Sequence, residues 1–344
     1  MKALTIFLCA AILLAGCTDG GSPPADNQSN QTPVKNDTPA VIIIKNQTNQ
    51  TIEKNETDGF EPPPPPPQND TGFGYTYDPD QMLGVFLIDV GGPGLQGDAV
   101  LIKKGDLDIL VDAGPKEKSA KVVDFLRAHS VDDIEVLVST NADPRRFGGI
   151  GEVASVFAIE EFWWSGDDFD DPDYIAAVQK ASEDAETVRI VEEGYGADLG
   201  GINLTVLNPP SGDRFDDFNN DAVVIRFVDR GFSMLLTSGI QTGAQGLLLN
   251  QHEDQLIADV LQAPYYGVGM GTSAIGVFLI NAKPETVVIS GSSDESAANG
   301  GSRDPFKRLM EQYGIRYYEN YVNGSLRITS NGETYTVQAL GKGQ

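Results

Sequence analysis

The stretch "VSTNADPRRFGG" (residues 138–149) places polar side chains that could do chemistry directly after an apolar run. Asp143 is a carboxylate that could hold a cation or pair with a guanidinium group. Arg145 and Arg146 stay charged at every physiological pH, and paired guanidinium groups suit phosphate or carboxylate ligands. A pocket that binds an anion is therefore one hypothesis for this stretch.

Metal chemistry has little support from the composition. The chain has only two histidines, His129 and His252, and both stand in predicted helical or polar surface segments. Two isolated histidines cannot form a zinc site with several histidine ligands. The adjacent charges of Arg145 and Arg146 would also repel a divalent cation. The sequence therefore predicts neither a metal site nor a cofactor, and no residue is proposed as catalytic.

The elements that must position these residues follow from the apolar pattern. Strands are predicted at residues 83–90, 98–114 and 134–140, and in "INLTVLNPP", "DAVVIRFVDRGFSMLLTSG", "ETVVIS" and "SLRITSNGETYTVQAL". Helices are predicted at 116–130, 172–185 and 304–314, and in "QTGAQGLLLNQ". Strands and helices mixed in this way predict an α/β fold with two sheets and helices outside, an αββα sandwich.

The N-terminal residues have the features of an export signal with a lipid anchor. Residues 1–16 contain the apolar run "ALTIFLCAAILLAG", which is too short for an ordinary membrane-spanning helix but fits a signal peptide. Small residues precede Cys17 in "LLAGC", as in the site where bacterial lipoproteins receive their lipid. We expect the chain to be exported and anchored through Cys17 to the outer face of the cell membrane.

Residues 17–80 are predicted to form a disordered stalk, and residues 81–344 the globular domain. The stalk is rich in Asn, Thr and Pro and poor in apolar residues, so it cannot bury enough surface to offset its ordering entropy. Sequons for N-glycosylation are frequent in it, and two more lie in the domain. The candidate asparagines are Asn27, Asn30, Asn36, Asn46, Asn49, Asn55, Asn69, Asn203 and Asn323.

The net charge of the chain limits its partners. A formal charge of -26 repels phosphate backbones, so direct binding of nucleic acid is not expected. The partners that the sequence supports are the membrane, through the lipid anchor, and either an anionic ligand or an envelope protein.

Six blocks in the domain resemble the extracellular hydrolase-like domain of the ComEC/Rec2 competence proteins, which has the metallo-β-lactamase fold. "FLIDVG…QGDAVLI", for example, is similar to the family's "FIDVGQGDAILI", with "GPGL" inserted in the turn. The blocks are residues 86–102, 109–115, 136–150, 207–227, 232–240 and 258–273. The resemblance implies an αββα sandwich of metallo-β-lactamase type, and members generally hold one or two divalent metals for hydrolysis.

Carried onto this chain, the family's metal-ligand positions fall on residues that mostly cannot bind a metal. These positions, which form a vestigial pocket, are Asn141, Asp143, Arg145, Arg146, Gly239, Tyr265, Tyr266 and Asp304. Asp143 alone keeps a carboxylate that matches a family variant. Two readings stay open: the arginines replace the metal charge by pairing with Asp143 and Asp304, or together with Tyr265 and Tyr266 they bind an anion.

These observations favour a surface lipoprotein whose domain has lost its metal ligands and acts as a non-catalytic binding or accessory protein. The alternative is a metal-dependent hydrolase with an atypical site, a phosphodiesterase or nuclease related to DNA uptake, as the resemblance implies. Neither reading identifies the ligand.

Overall fold

A computed structural model of the chain describes residues 42–45, 80–92, 95–268, 272–291 and 302–342, and the side chains of 42–45 and 272–274 lie outside that description. Within the described residues, two β-sheets pack against each other and helices cover the outer face of each sheet. The molecule is thus an αββα sandwich, and the predicted fold class is confirmed.

The described strands, in chain order, are β1 (Ile42–Lys45), β2 (Leu83–Leu87), β3 (Val100–Lys104), β4 (Leu107–Val111), β5 (Ile134–Ser139), β6 (Ile159–Trp164), β7 (Ala185–Ile190), β8 (Gly196–Leu199), β9 (Ile202–Asn208), β10 (Val224–Asp229), β11 (Phe232–Leu236), β12 (Val260–Gln262), β13 (Thr286–Ile289), β14 (Arg316–Glu319), β15 (Leu326–Ser330) and β16 (Thr334–Ala339). The described α-helices are α1 (Ser119–Ala128), α2 (Pro144–Phe147), α3 (Ile150–Val156), α4 (Pro172–Asp184), α5 (Thr242–Gln251), α6 (Thr272–Ala282), α7 (Asp304–Tyr313) and α8 (Asn320–Asn323).

The pairing of the strands decides where the functional loops meet. In the described residues one sheet has the order β1-β16-β15-β2-β3-β4-β5-β6-β7, and the other has β14-β13-β12-β11-β10-β9-β8. Strands β4 to β7 are parallel, and so are β11 to β14. Loops that leave the carboxyl ends of parallel strands gather at one edge, where α/β folds commonly bind ligands. Here these are the loops after β4, β5, β11 and β12.

Alternation along the strands builds three apolar layers. Val85 and Leu87 of β2 face the other sheet, whereas Phe86 between them packs toward α1. The layer between the two sheets is the central core. A second layer lies under α1, α3 and α4, and a third under α5, α6 and α7. Both sheets are therefore covered on their outer faces, which explains why β2, β4 and β5 are buried at every position.

Several elements are present that the sequence analysis did not assign. Strand β7 follows α4 without a Gly or Pro between them, and its residues alternate between half-buried and exposed. Strand β12 has only three residues, too few for a periodic signal. The hairpin between β15 and β16, at "NG", is present as predicted.

Strand β1 lies inside the range assigned to the stalk. It pairs antiparallel with β16, Ile42 opposite Val337 and Lys45 opposite Thr334. This segment therefore differs from the disorder expected for residues 17–80, because an open edge of β16 is available to it. The division of the chain into signal, stalk and domain otherwise stays a prediction.

The N-terminal predictions fall mostly on residues outside the description: Cys17 and the candidate asparagines Asn27, Asn30, Asn36, Asn46, Asn49, Asn55 and Asn69. Of the remaining sequons, Asn203 is exposed on β9, and Asn323 ends α8 with its side-chain oxygen accepting a hydrogen bond from Glu319 N. Among the described helices, none is both long and apolar enough to cross a membrane.

Candidate functional site

The loop after β5 positions the two arginines through a helix cap. Asp143 is the N-cap of α2, and its Oδ1 accepts a hydrogen bond of 3.0 Å from Arg145 N. Pro144 takes the first helical position, where its missing N–H costs nothing. The sequence Asp-Pro-Arg-Arg therefore fixes a short turn of helix at the sheet edge, with Arg145 and Arg146 next to their own cap carboxylate.

Arg146 is fully buried, and two carboxylates surround its guanidinium group. Its Nε and Nη2 each lie 2.9 Å from Asp98 Oδ2, and its Nη1 donates to Asp143 Oδ2 at 2.9 Å. Asp112 Oδ2 is 4.0 Å from Arg146 Nε. A buried charge needs such partners, because an unpaired ion in the interior is very unfavourable.

Arg145 shares Asp143 with Arg146 but lies nearer the surface, with a side chain 16% exposed. Its Nε donates to Asp143 Oδ1 at 2.8 Å and its Nη2 to Asp143 Oδ2 at 2.6 Å, a bidentate pair. We call Asp98, Asp143, Arg145 and Arg146 the arginine centre. Its guanidinium groups bind carboxylates of the protein itself.

Tyr265 and Tyr266 cover the arginine centre. The guanidinium carbon of Arg146 lies 4.4 Å from the centroid of the Tyr266 ring, and that of Arg145 lies 5.1 Å from the same ring. A cation over an aromatic face is attracted to the ring quadrupole, more strongly where water is excluded. The tyrosines therefore add to the stabilisation of the two arginine cations.

The tyrosine pair adopts an unusual backbone. Tyr265 has φ 45° and Tyr266 has φ 58°, in the left-handed region that non-glycine residues rarely adopt. Tyr265 N donates to Ser238 O at 2.9 Å, and Tyr266 O accepts from Arg303 Nε at 2.9 Å. These bonds from two other loops hold the strained turn against Arg146.

Gly239 completes the packing around the guanidinium group of Arg146. A Cβ atom at this position would lie 2.8 Å from Asn141 Nδ2, 2.8 Å from Asn219 Oδ1 and 3.1 Å from Arg146 Nη1. The aspartate that the family resemblance implies at this position would therefore collide with Arg146 and its neighbours. Glycine and arginine are complementary here: the absence of one side chain leaves the room that the other fills.

Other side chains hold Asp98 of the centre and the neighbouring carboxylate of Asp112. Asp98 Oδ1 accepts from Gln262 Nε2 at 3.1 Å, and Asp112 accepts from both N and Oγ1 of Thr140 at 2.8 Å. Burial raises the pKa of Asp112 to about 7, although the charge of Arg146 acts to lower it. Asp112 accepts its hydrogen bonds from Thr140 and lies farther from Arg146 than Asp98, which is hydrogen-bonded to the Arg146 guanidinium.

The charges within the centre stabilise one another. Burial raises the pKa of Asp143, but hydrogen bonds from Arg145 and the charges of both arginines outweigh it and hold the pKa below its ordinary value. Burial lowers the pKa of Arg145 and Arg146, and their acidic and tyrosine neighbours reverse this so that both pKa values are raised. Burial raises the pKa of Tyr266 well above its ordinary value. The centre is a set of ion pairs with a neutral phenol above it.

The structure brings seven of the predicted positions together: Asn141, Asp143, Arg145, Arg146, Gly239, Tyr265 and Tyr266. Asp304 is the exception, and the expectation that it pairs with an arginine of the centre is wrong. It is exposed at the first turn of α7, and among the described ion pairs none joins it to Arg145 or Arg146. The preceding residue, Arg303, is the one that is buried there.

Sequence reasoning missed several residues that hold the centre. Arg303 donates to Tyr266 O and, through Nη2, to Gln96 Oε1 at 2.9 Å. Gln262 and Asn219 contact Asp98 and Asn141, respectively. Amide side chains carry no distinctive pattern in a sequence, and a single arginine in a polar loop reads as a surface residue. Their burial in the structure is what identifies these polar residues as part of the site.

The residues do not fit the metal centre that the family resemblance implies. The guanidinium group of Arg146 lies within 2.9 Å of Asp98 Oδ2 and Asp143 Oδ2, so it occupies the space that an ion between them would need. Elsewhere in the part of the chain that the structure describes, no group of three His, Cys, Asp or Glu side chains is placed to hold a metal ion.

Comparison with known proteins shows what the chain is similar to. No protein-family model matches the chain. It is 23% identical over 256 residues to the competence protein ComA of Neisseria gonorrhoeae, which covers 73% of this chain and 33% of ComA. The chain resembles a ComEC-type competence protein. It spans about a third of the length of that relative, so the activity of the whole ComA protein is not carried over.

Two solved structures are also similar. The metallo-β-lactamase fold protein YhfI of Bacillus subtilis matches with a TM-score of 0.46 and 12% identity, covering 69% of this chain and 95% of YhfI. Igni18, a metallo hydrolase of Ignicoccus hospitalis, matches with a TM-score of 0.46 and 15% identity, covering 71% of this chain and 98% of Igni18.

Proposed function

We propose that this chain is a non-catalytic binding or accessory protein of the cell envelope, in which arginine charges stand where related proteins hold metal. The observation that carries the proposal is the burial of Arg146 between Asp98 and Asp143. A metal could enter only if this guanidinium group moved away. Asp98 and Asp143 would then remain buried without the positive charge of Arg146, which is unfavourable. The ion pairs therefore keep the centre closed.

The location at the envelope is part of the same proposal. A lipid on Cys17 would fix the chain to the outer face of the membrane, and the Pro- and Asn-rich segment would hold the domain away from it. Glycosylation of the sequons would extend that segment further. The similarity to ComA, a competence protein, supports a role near DNA uptake at the envelope, as a partner of envelope proteins rather than a reader of DNA.

An anionic ligand at Arg145 is a second use of the same pocket. Arg145 is partly exposed, and Tyr266 Oη makes no hydrogen bond to any described residue. Against this use, Arg145 and Arg146 already bind Asp143, which neutralises part of their charge. A free anion would have to compete with that carboxylate, so we place the structural role of the arginines first.

The competing function is a metal-dependent phosphodiesterase or nuclease. It requires a metal bound by Asp98, Asp112 and Asp143 after Arg146 has moved away. The similarity to hydrolase-fold proteins is its support, and the geometry of Arg146 is the argument against it.

Elemental analysis tests the proposal. The full-length chain is loaded with zinc, manganese or iron, desalted and measured by plasma mass spectrometry, and the same samples are assayed with bis(p-nitrophenyl) phosphate. We expect bound metal near zero and no hydrolysis above the metal-only control. One or more tightly held metals per chain together with hydrolysis would move the hydrolase to first place.

A further inference from the structure

An open cavity of about 710 Å³ lies between the loop after β6 and the loop before β10. Its lining residue Phe218 directly precedes Asn219, which contacts Asn141. We call it the acidic cleft. Its lining residues are Gly166, Asp167, Asp168, Phe169, Asp170, Arg214, Asp216, Asp217, Phe218 and Asp221.

Three of the six aspartates that line the cleft make no hydrogen bond or ion pair to a described residue. Asp221 accepts backbone hydrogen bonds from Phe215 and Asp217, so it shapes the loop. Three aspartates of the cleft are exposed, and their carboxylates make no hydrogen bond or ion pair to a described residue: Asp168, Asp170 and Asp216. They are free to bind something from solution.

The charges of the lining residues do not balance. One arginine, Arg214, faces six aspartates, and its Nη1 lies 3.6 Å from Asp167 Oδ1. Burial, followed by the negative charges of Asp221 and Asp168, raises the pKa of Asp167 to about 6. Crowded carboxylates of this kind attract cations, and the strongly acidic protein adds a field of the same sign.

Aromatic rings stand among these carboxylates. Phe169 is 42% exposed, and its ring centroid lies 5.2 Å from that of Phe218. An exposed phenylalanine is unfavourable in water, but its face attracts an ammonium group and its edge packs against an alkyl chain. Carboxylates with aromatic faces are the combination that recognises organic ammonium ions.

A single metal ion fits the cleft poorly. A calcium ion needs about six to eight oxygen ligands converging within about 2.6 Å. Among the described residues, these carboxylates form no group of three that is placed to hold one ion. They line a wide cavity instead, so a ligand with several separated positive charges is the better match.

We infer that the acidic cleft binds an aliphatic polyamine, with ammonium groups on Asp168, Asp170 and Asp216 and the alkyl chain over Phe169. The free carboxylates supply the charge, the phenylalanine faces supply the apolar contact, and the volume accommodates a short linear chain. The inference goes beyond the proposed function and does not depend on the state of the arginine centre.

Calorimetric titration of the full-length chain with spermidine tests this, at about 150 mM salt so that loose counterion binding is screened. We expect saturable binding of one spermidine per chain. The triple variant Asp168→Asn, Asp170→Asn and Asp216→Asn should weaken it at least about tenfold, because three ion pairs are lost. Phe169→Leu should weaken it about two- to fivefold through loss of the ring face.

The matched control has the same change of net charge at exposed aspartates far from the cleft: Asp124→Asn, Asp132→Asn and Asp254→Asn. It should change the affinity less than about twofold, because general attraction to an acidic protein is screened at this salt. Equal weakening in both triple variants, or no saturable binding by the unaltered chain, would overturn the inference. Neither result would bear on metal content, so the proposed function is tested separately.

Discussion

The arginine centre and the acidic cleft differ in how their charges are paired. In the centre, two arginines and two aspartates form ion pairs with one another beneath a tyrosine ring, and all of them except Arg145 are buried. In the cleft, a single arginine faces six aspartates, and three of these carboxylates have no described partner. A site whose charges are matched internally stabilises the fold, and a site whose charges are unmatched and open can bind a ligand.

The largest difference between the regions should appear when Arg146 is replaced by Met. Removing the guanidinium leaves Asp98 and Asp143 buried with a lost partner, which costs about 3–5 kcal/mol of unfolding free energy. Urea unfolding measures this. Arg127→Met, at an exposed position of α1, should stay within about 0.5 kcal/mol. A cost below about 1 kcal/mol for Arg146→Met would show that the centre does not stabilise the fold.

A smaller effect should follow from filling the space beside Arg146. Gly239→Ala places a Cβ within 3.1 Å of Arg146 Nη1 and closer to Asn141 and Asn219, so we expect a loss of about 1–3 kcal/mol. Gly246→Ala is the matched control in α5, where nothing lies within 4 Å. That change should stabilise the chain by about 0.5–1 kcal/mol, because alanine is the better helix former. Thermal unfolding of the two variants measures the difference. Equal shifts of Tm for Gly239→Ala and Gly246→Ala would contradict tight packing at Gly239.

The cleft should tolerate the loss of its charges. The triple variant Asp168→Asn, Asp170→Asn and Asp216→Asn should change the unfolding free energy by less than about 1 kcal/mol, because these side chains are exposed and hold nothing in place. Asparagine also tolerates the positive φ of 53° at Asp216. A loss comparable to that of Arg146→Met would make the cleft a structural feature and remove the contrast.

The weakest expected effect concerns pH. The pKa of Asp167 is raised to about 6 in the fold, so its contribution to stability is complete below its unfolded value and is lost as pH rises through about 6. The lowered pKa of Asp143 has the opposite sign, because its contribution is lost as pH falls. Urea unfolding at about pH 4.5 and about pH 6.5 should therefore show a smaller decrease for Asp167→Asn than for Asp124→Asn. An identical change in unfolding free energy between the two pH values in both variants would refute the raised pKa of Asp167.

The sequence predicted the neighbourhood of the centre better than its contacts. The family resemblance grouped Arg146, Gly239 and Tyr266 in advance, and the structure brings them together in the loops after β5, β11 and β12, where parallel strands end. The predicted pairing of Asp304 with an arginine of the centre was wrong, and the buried residue is its neighbour Arg303. A resemblance fixes an alignment position, but the folded chain buries Arg303 at the start of α7 and leaves the next residue, Asp304, exposed.

The acidic cleft was harder to recognise in the sequence. Its two loops are separated by strands β7 to β9, and nothing in a single sequence indicates that "GDDFD" and "RFDDFNND" face each other. Strand β7 was missed for a related reason. Its alternation continues directly from a helical pattern, so only pairing with β6 identifies it as a strand. Both features depend on long-range contacts that local patterns do not encode.

The central claim is that the guanidinium group of Arg146 occupies the place of a metal. A crystal grown with excess zinc, measured at the zinc absorption edge, tests it most directly. The account predicts no anomalous peak between Asp98 and Asp143, with the Arg146 guanidinium still within ion-pair distance of both. An anomalous peak within coordination distance of Asp143, with Arg146 turned away, would contradict the account and reopen the case for a hydrolase.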